Sequence, residues 1–255
     1  YHGFEASIRH PFRKGFYMQA SFSLNRDRSE VGHTSTWSGE AQTPFWIDYA
    51  YDRARDMGTT MAWTTGAFHL NWVYEVPVGK GRTFASTAPP VVNAILGNWA
   101  VSGVYVWRSG THFTPMFSGY DTGGIDQWEG RPNLVAGCDP YAGGKQLGAG
   151  AMWFNPACYA VPEPGTLGNV AVGSLVGPGA WMISLNPYKT MPITDRVSLQ
   201  IGARISNLFN HPVYANPEAY ITSSNAGQIY GSTEMLRAGS GDGTRKIALV
   251  GSISF

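Results

Sequence analysis

The chain is short of charge, of long apolar runs and of cysteine, and each shortage closes off a class of protein. Asp, Glu, Lys and Arg make up only 14% of its 255 residues, the formal net charge is +1, and no run of Lys and Arg occurs. A nucleic-acid partner calls for a basic patch or stripe, so that class is excluded. No stretch approaches ~18 uninterrupted apolar residues, which excludes a transmembrane helix. The mean hydropathy of -0.16 leaves a membrane β-barrel open, because polar inward positions dilute the average of such a wall. No charged-then-apolar leader stands at Tyr1, so an exported form is expected to have lost its leader or to carry it upstream. Disorder is excluded by the 43% hydrophobic and 13% aromatic content.

Catalytic patterns are missing too. His2, His10, His33, His69, His112 and His211 are scattered, no Gly-x-Ser-x-Gly elbow occurs, and no phosphate-cradling glycine loop precedes a helix. Asp121, Asp126 and Glu129 cluster in one glycine-rich stretch, but their spacing fits no calcium loop, and solvated carboxylates are the plainer reading. The chain is therefore expected to be no enzyme, with no catalytic, cofactor or metal site. The two cysteines, Cys138 and Cys158, stand in one Gly/Pro-rich region. In an exported chain they are expected to pair, closing a loop worth roughly 3 kcal/mol of denatured-state entropy; two unrelated thiols are the alternative. No Cys or His lies at ligand spacing from either, which argues against zinc.

What the sequence does hold is a two-residue period. In the final stretch, Ile247, Leu249, Gly251, Ile253 and Phe255 alternate with Lys246, Ala248, Val250, Ser252 and Ser254. That is a strand with two differently solvated faces. Six more segments read the same way. They run through Phe4–Arg9, Phe16–Asn25, Phe68–Val76, Trp99–Arg108, Trp181–Asn186 and Val197–Ser206. Most are about ten residues long, which at a 40° tilt rises about 25 Å, the height of an outer-membrane apolar band. Strands of soluble sheets average about 5–6 residues.

Connections alternate between short or moderate (11–15, 77–98, 187–196) and long (26–66, 109–179, 207–244). Such alternation fits an antiparallel up-and-down transmembrane β-barrel with extracellular long loops. Pro89-Pro90 through Gly97 has the termini of a short helix. Seven strands make an odd number, whereas a single-chain bacterial barrel has an even one. Residues 1–255 are thus expected to be one portion of a larger barrel, the C-terminal one.

Several segments have familiar content in a familiar order. They include His69–Arg82, Leu96–Gly103, Arg108–Thr114, Arg131–Leu134, Trp153–Pro156, Pro164–Asn169, Gly177–Gly179 and Asn207–Pro212. The ordered set resembles the C-terminal barrel of Oar-like TonB-dependent outer-membrane transporters over nearly the whole chain. Ser184 stands where that family tends to have Asp, and Met57–Thr65 looks like an insertion. The resemblance implies a Gram-negative outer membrane and energy-coupled import, or export, of a bulky solute. It also implies missing N-terminal carboxypeptidase-regulatory-like and plug regions, through which the TonB complex would be met. Phe255 would close the last strand as a signal to the barrel-assembly machinery, and the remaining partner would be outer-membrane lipid.

Within that reading, Glu5, Arg9, Gln19, Asn71, Glu75, Arg108, Gln200, Arg204 and Lys246 line the lumen with mixed charge, facing a polar plug. His69 and Glu75 belong to the same polar face and lie ~20 Å apart along the strand, too far for an acid–base pair. Trp72, Tyr74, Trp99, Tyr105 and Trp107 form interfacial girdles. Solute contact is expected on the outer loops, where Trp128, Arg131, Trp153, Phe154 and Tyr159 gather. Two competitors remain: a small passive outer-membrane pore, and a secreted carbohydrate-binding β-sandwich using the tryptophans.

Overall fold

The computed structural model describes residues 1–30, 52–59, 64–124, 128–194, 196–229, 231 and 244–255. Seven long strands form one antiparallel sheet in chain order. They are β1 (His2–Arg13), β2 (Phe16–Arg26), β3 (Gly66–Glu75), β4 (Trp99–Arg108), β5 (Ala180–Pro192), β6 (Ser198–Ser206) and β7 (Lys246–Ser254). Among the described residues the one α-helix is α1 (Pro90–Leu96), in the β3–β4 connection, and no helix is long and apolar enough to cross a membrane. β1 and β7 are the sheet edges and are not paired with each other. No second sheet of comparable size stacks on this one among the described residues, so the β-sandwich alternative does not hold.

Register converts the sequence period into two faces. Phe4 pairs with Leu24, Phe22 with Phe68, Leu70 with Tyr105, Ile183 with Tyr105, Leu185 with Ile205, and Ile205 with Ile247. Because neighbours in register point to the same side, every strand presents its apolar set to one face. At the long-loop end Phe68, Tyr105, Trp107 and Trp181 collect on that face; Phe16, Tyr74 and Trp99 do so at the short-turn end. The Phe68 and Tyr105 rings lie 5.9 Å apart, those of Phe16 and Tyr74 6.4 Å. Between the girdles the indole of Trp72 lies across Gly103, where an added Cβ would fall 2.1 Å from a ring carbon. Only the absence of a side chain there lets the ring lie flat against the wall.

Two prolines that read as strand ends are inside strands. β1 continues through Pro11, because the register shifts between His10 and Arg13 and leaves Pro11 out of the ladder to β2, where a missing donor costs no bond. The connection shrinks to Lys14-Gly15, both at positive φ (50° and 77°), a two-residue hairpin turn whose twist suits the strands. β5 likewise runs through Pro187 to Pro192, leaving a turn of 193–197 in place of a longer connection. Pro187 is in register with Val101 of β4, and the ladder to β6 skips from Leu185 to Tyr188. Gly202 opposite accommodates this close approach, since a Cβ there would meet the Pro187 carbonyl at 2.5 Å.

The densest packing is not in the sheet. β1 and β7 contain no buried residue. Phe113, Trp153, Phe154, Cys158, Tyr159, Val170, Leu175, Ala219 and Ile229 form a buried cluster drawn from the β4–β5 and β6–β7 loops. Those loops fold into an assembly at one end of the wall. Short strand pairs organise it, among them His112–Phe113 with Leu175–Val176 and Asn133–Leu134 with Tyr159–Ala160.

Candidate functional site

The wall offers a polar face opposite the apolar one. Arg9 is in register with Gln19, Gln19 with Asn71, Gln200 with Thr190 and Ser252, and Lys246 with Ser206. Glu5 opposes Ser23, Glu75 opposes Ala100, Arg108 opposes Ala67 and Ala180, and Arg204 opposes Ala248. All nine residues assigned to the lumen therefore share one side of the sheet. Two grooves indent it, one lined by Ser102, Asn186, Tyr188, Gln200 and Arg204, the other by Glu5, Ser7, Ser21, Ser23 and His69. Glu75 is ion-paired with Arg82 of the short-turn side at 2.8 Å, and the Arg9 guanidinium lies 5.9 Å from the Tyr17 ring centroid. Hydroxyls, amides and charges of both signs make this a hydrogen-bonding surface with no dominant field.

Above the wall the loop assembly is held as a water-soluble core would be. Phe154 is 0% exposed; its ring meets Phe113 at 5.7 Å and Tyr159 edge-on at 5.9 Å. Trp153 donates its indole N–H to the Val176 carbonyl at 2.8 Å, and the Tyr141 hydroxyl both donates to that carbonyl (3.1 Å) and accepts from the Val176 N–H (2.7 Å). Cys138 and Cys158, 20 residues apart, are joined by a disulfide with their Cα atoms 5.4 Å apart. Arg131, 2% exposed, reaches from this assembly into the β2–β3 loop. Its guanidinium donates to Asp56 Oδ1 at 2.7 Å, to the Arg55 carbonyl at 2.6 Å and to the Val170 carbonyl at 3.1 Å. Arg55 in turn donates to the Gly168 carbonyl at 2.6 Å. A buried guanidinium satisfied by a carboxylate and two carbonyls fixes three chain segments at one point.

Burial raises the phenol pKa of Tyr159 and Tyr141 above the ordinary 10.0. Tyr220 is raised first by burial and then by its hydrogen bond to Glu129, to which it donates at 2.7 Å. That contact takes up one carboxylate of the acidic cluster; Asp126 lies outside the described residues.

The expected solute contacts divide sharply. Arg131, Trp153, Phe154 and Tyr159 are buried and serve as the internal frame of the loops, which corrects their assignment as surface contacts. Their apolar mass and the guanidinium's hydrogen bonds are spent on holding the loops together. Trp128 is 62% exposed. Tyr120, which the sequence did not single out, is exposed nearby in the hairpin of Phe117–Ser118 and Glu129–Gly130, where the Gly119 N–H donates to the Trp128 carbonyl at 2.7 Å. The candidate site thus consists of a polar wall face and two exposed aromatic residues, Tyr120 and Trp128, on the cap.

A family model described as "Outer membrane beta barrel domain" matches residues 1–242. Neither a curated protein nor a solved structure matches the chain.

Proposed function

This chain belongs to the outer-membrane β-barrel domain family and so to the bacterial outer membrane, and from that premise we propose that it is the barrel portion of an Oar-like TonB-dependent transporter. In this reading the apolar face meets lipid, the polar face borders a plug, and the loop cap receives a bulky solute. The observation that carries it is the pairing of a face-sorted wall with loops condensed around their own core. A receptor needs a binding surface of fixed shape outside the membrane, and a cap with a disulfide and a buried ion pair supplies one. The exposed Trp128 and Tyr120 give it stacking surface.

In this reading β1 and β7, which do not pair with each other, border further strands of the cylinder, and the TonB complex acts on the plug within it. Planar-bilayer recording of the protein purified from outer membranes tests the reading. A plugged transporter shows no steady conductance until mild denaturant loosens the plug. Steady ohmic conductance from the outset would replace it with the passive-pore alternative.

A further inference from the structure

Helix α1 is inside out with respect to water. At about 100° per residue, Val91, Val92, Ile95 and Leu96 fall within one arc, and Asn93 and Ala94 lie opposite. In a water-facing helix the apolar arc packs inward. Here Val91 is 72% and Ile95 63% exposed, and Leu96 is exposed beside them. Asn93, the half-buried residue of the helix, faces the protein: its Oδ1 accepts from the Lys80 N–H at 2.6 Å, and it borders a cavity with Lys189, Thr190 and Met191.

Its position is equally specific. Lys189 stands on β5 at even spacing from Leu185, Ile183 and Trp181, and hence on the apolar face of the wall. It is buried there because its ammonium donates to the carbonyls of Ile95 (3.4 Å) and Gly97, at the C-terminal end of α1, and sits 5.6 Å from the Trp99 ring centroid. The Trp99 indole N–H donates to the same Ile95 carbonyl at 2.9 Å. The helix end is therefore fastened to the lipid-facing side of the wall, at its short-turn rim. A lysine on this face would be costly if bare; with its ammonium solvated by two carbonyls and an aromatic ring, it becomes the fastening.

We propose that α1 is an interfacial lipid anchor, whose apolar arc sinks about 5–10 Å into the headgroup–acyl boundary of the inner leaflet. The occupant is phospholipid because the exposed arc continues the apolar face past the lower girdle at Trp99, and the exposed Ile193 of the neighbouring turn extends the same rim. This rests on the apolar face meeting lipid.

The test uses single-cysteine variants with the native disulfide kept oxidised: Ile95→Cys in α1, Ile201→Cys on the wall, and Leu147→Cys, an exposed apolar position on the loop cap. Each carries an environment-sensitive fluorophore, in protein inserted into phosphatidylethanolamine–phosphatidylglycerol vesicles. Quenching is read with nitroxides placed near the lipid glycerol or near the chain end. The expected result is a blue-shifted label at 95, quenched more by the shallow nitroxide than by the deep one. The label at 201, in register with Lys189, is quenched by both nitroxides, and that at 147 by neither. Should 95 behave like 147 while 201 is quenched, the anchor falls and the facing of the wall stands. A blue shift at 95 without quenching means protein covers the helix and also overturns the anchor. If 201 is unquenched, the facing itself is false and the anchor falls with it. Val91→Cys, in the same arc, repeats the measurement if Ile95→Cys does not insert.

Discussion

The wall and the loop cap of one chain obey opposite burial rules. In the wall the large apolar residues are on the outside: Phe4, Ile8, Leu24, Ile201, Leu249 and Ile253 are all exposed, and β1 and β7 bury nothing. In the cap Phe113, Phe154 and Ile229 are wholly enclosed. A wall solvated by hydrocarbon gains nothing by hiding leucine, whereas a cap standing in water gains about 25 cal/mol per Å² of apolar surface it hides. The chain therefore holds a water-type core without a sheet beneath it and a sheet without a water-type core.

The difference can be pushed hardest at Arg131. Arg131→Met takes the guanidinium away from the buried Asp56 carboxylate, at an expected cost of about 3–5 kcal/mol to the cap. Limited proteolysis of the membrane-inserted protein should then cut within 109–179 while the strands stay protected; equal loss of both would mean that cap and wall fold as one unit. The wall breaks by the opposite substitution. Ile205→Arg, in register with Leu185 midway between the girdles, places a charge in hydrocarbon at about 2–4 kcal/mol and should block insertion, and Gln200→Arg on the polar face should be tolerated. Equal tolerance in an outer-membrane folding assay would contradict the two faces. Opening the Cys138–Cys158 bridge with thiol should cost the cap about 3 kcal/mol by loop entropy and leave strand protection unchanged, as hydrogen exchange would register.

The smallest effect is alkaline. A phenol is neutral when protonated, and Tyr159, Tyr220 and Tyr141 have folded pKa values above the unfolded 10.0, so the folded cap holds those protons more tightly. The stabilisation is intact below pH about 10 and is lost as pH rises through the folded values. Cap proteolysis should therefore accelerate above pH 10, less so in Tyr220→Phe, with the wall indifferent.

The wall was legible because one physical variable, which solvent a side meets, is written every second residue from Phe4 to Phe255. Sequence misjudged it only at Pro11 and Pro187, which end strands in general; here a bulge at an edge and the glycine at 202 make room for them. The cap was legible as length alone. An aromatic in an irregular loop looks the same whether it binds a solute or fills a core, so Trp153, Phe154 and Tyr159 were assigned outward. Nor does local sequence say that Arg131 will meet Asp56, 75 residues away. The apolar arc of α1 was present in Val91-Val92-Asn93-Ala94-Ile95-Leu96, but only Lys189 beneath it tells which way it points.

Gly103 has a bearing on traffic as well as packing. With the indole of Trp72 pressed flat over that bare backbone, acyl chains sliding past meet a smooth contour between the two aromatic belts. A single methyl at 103 would pry the ring upright into a fin, around which lipid would have to reorganise.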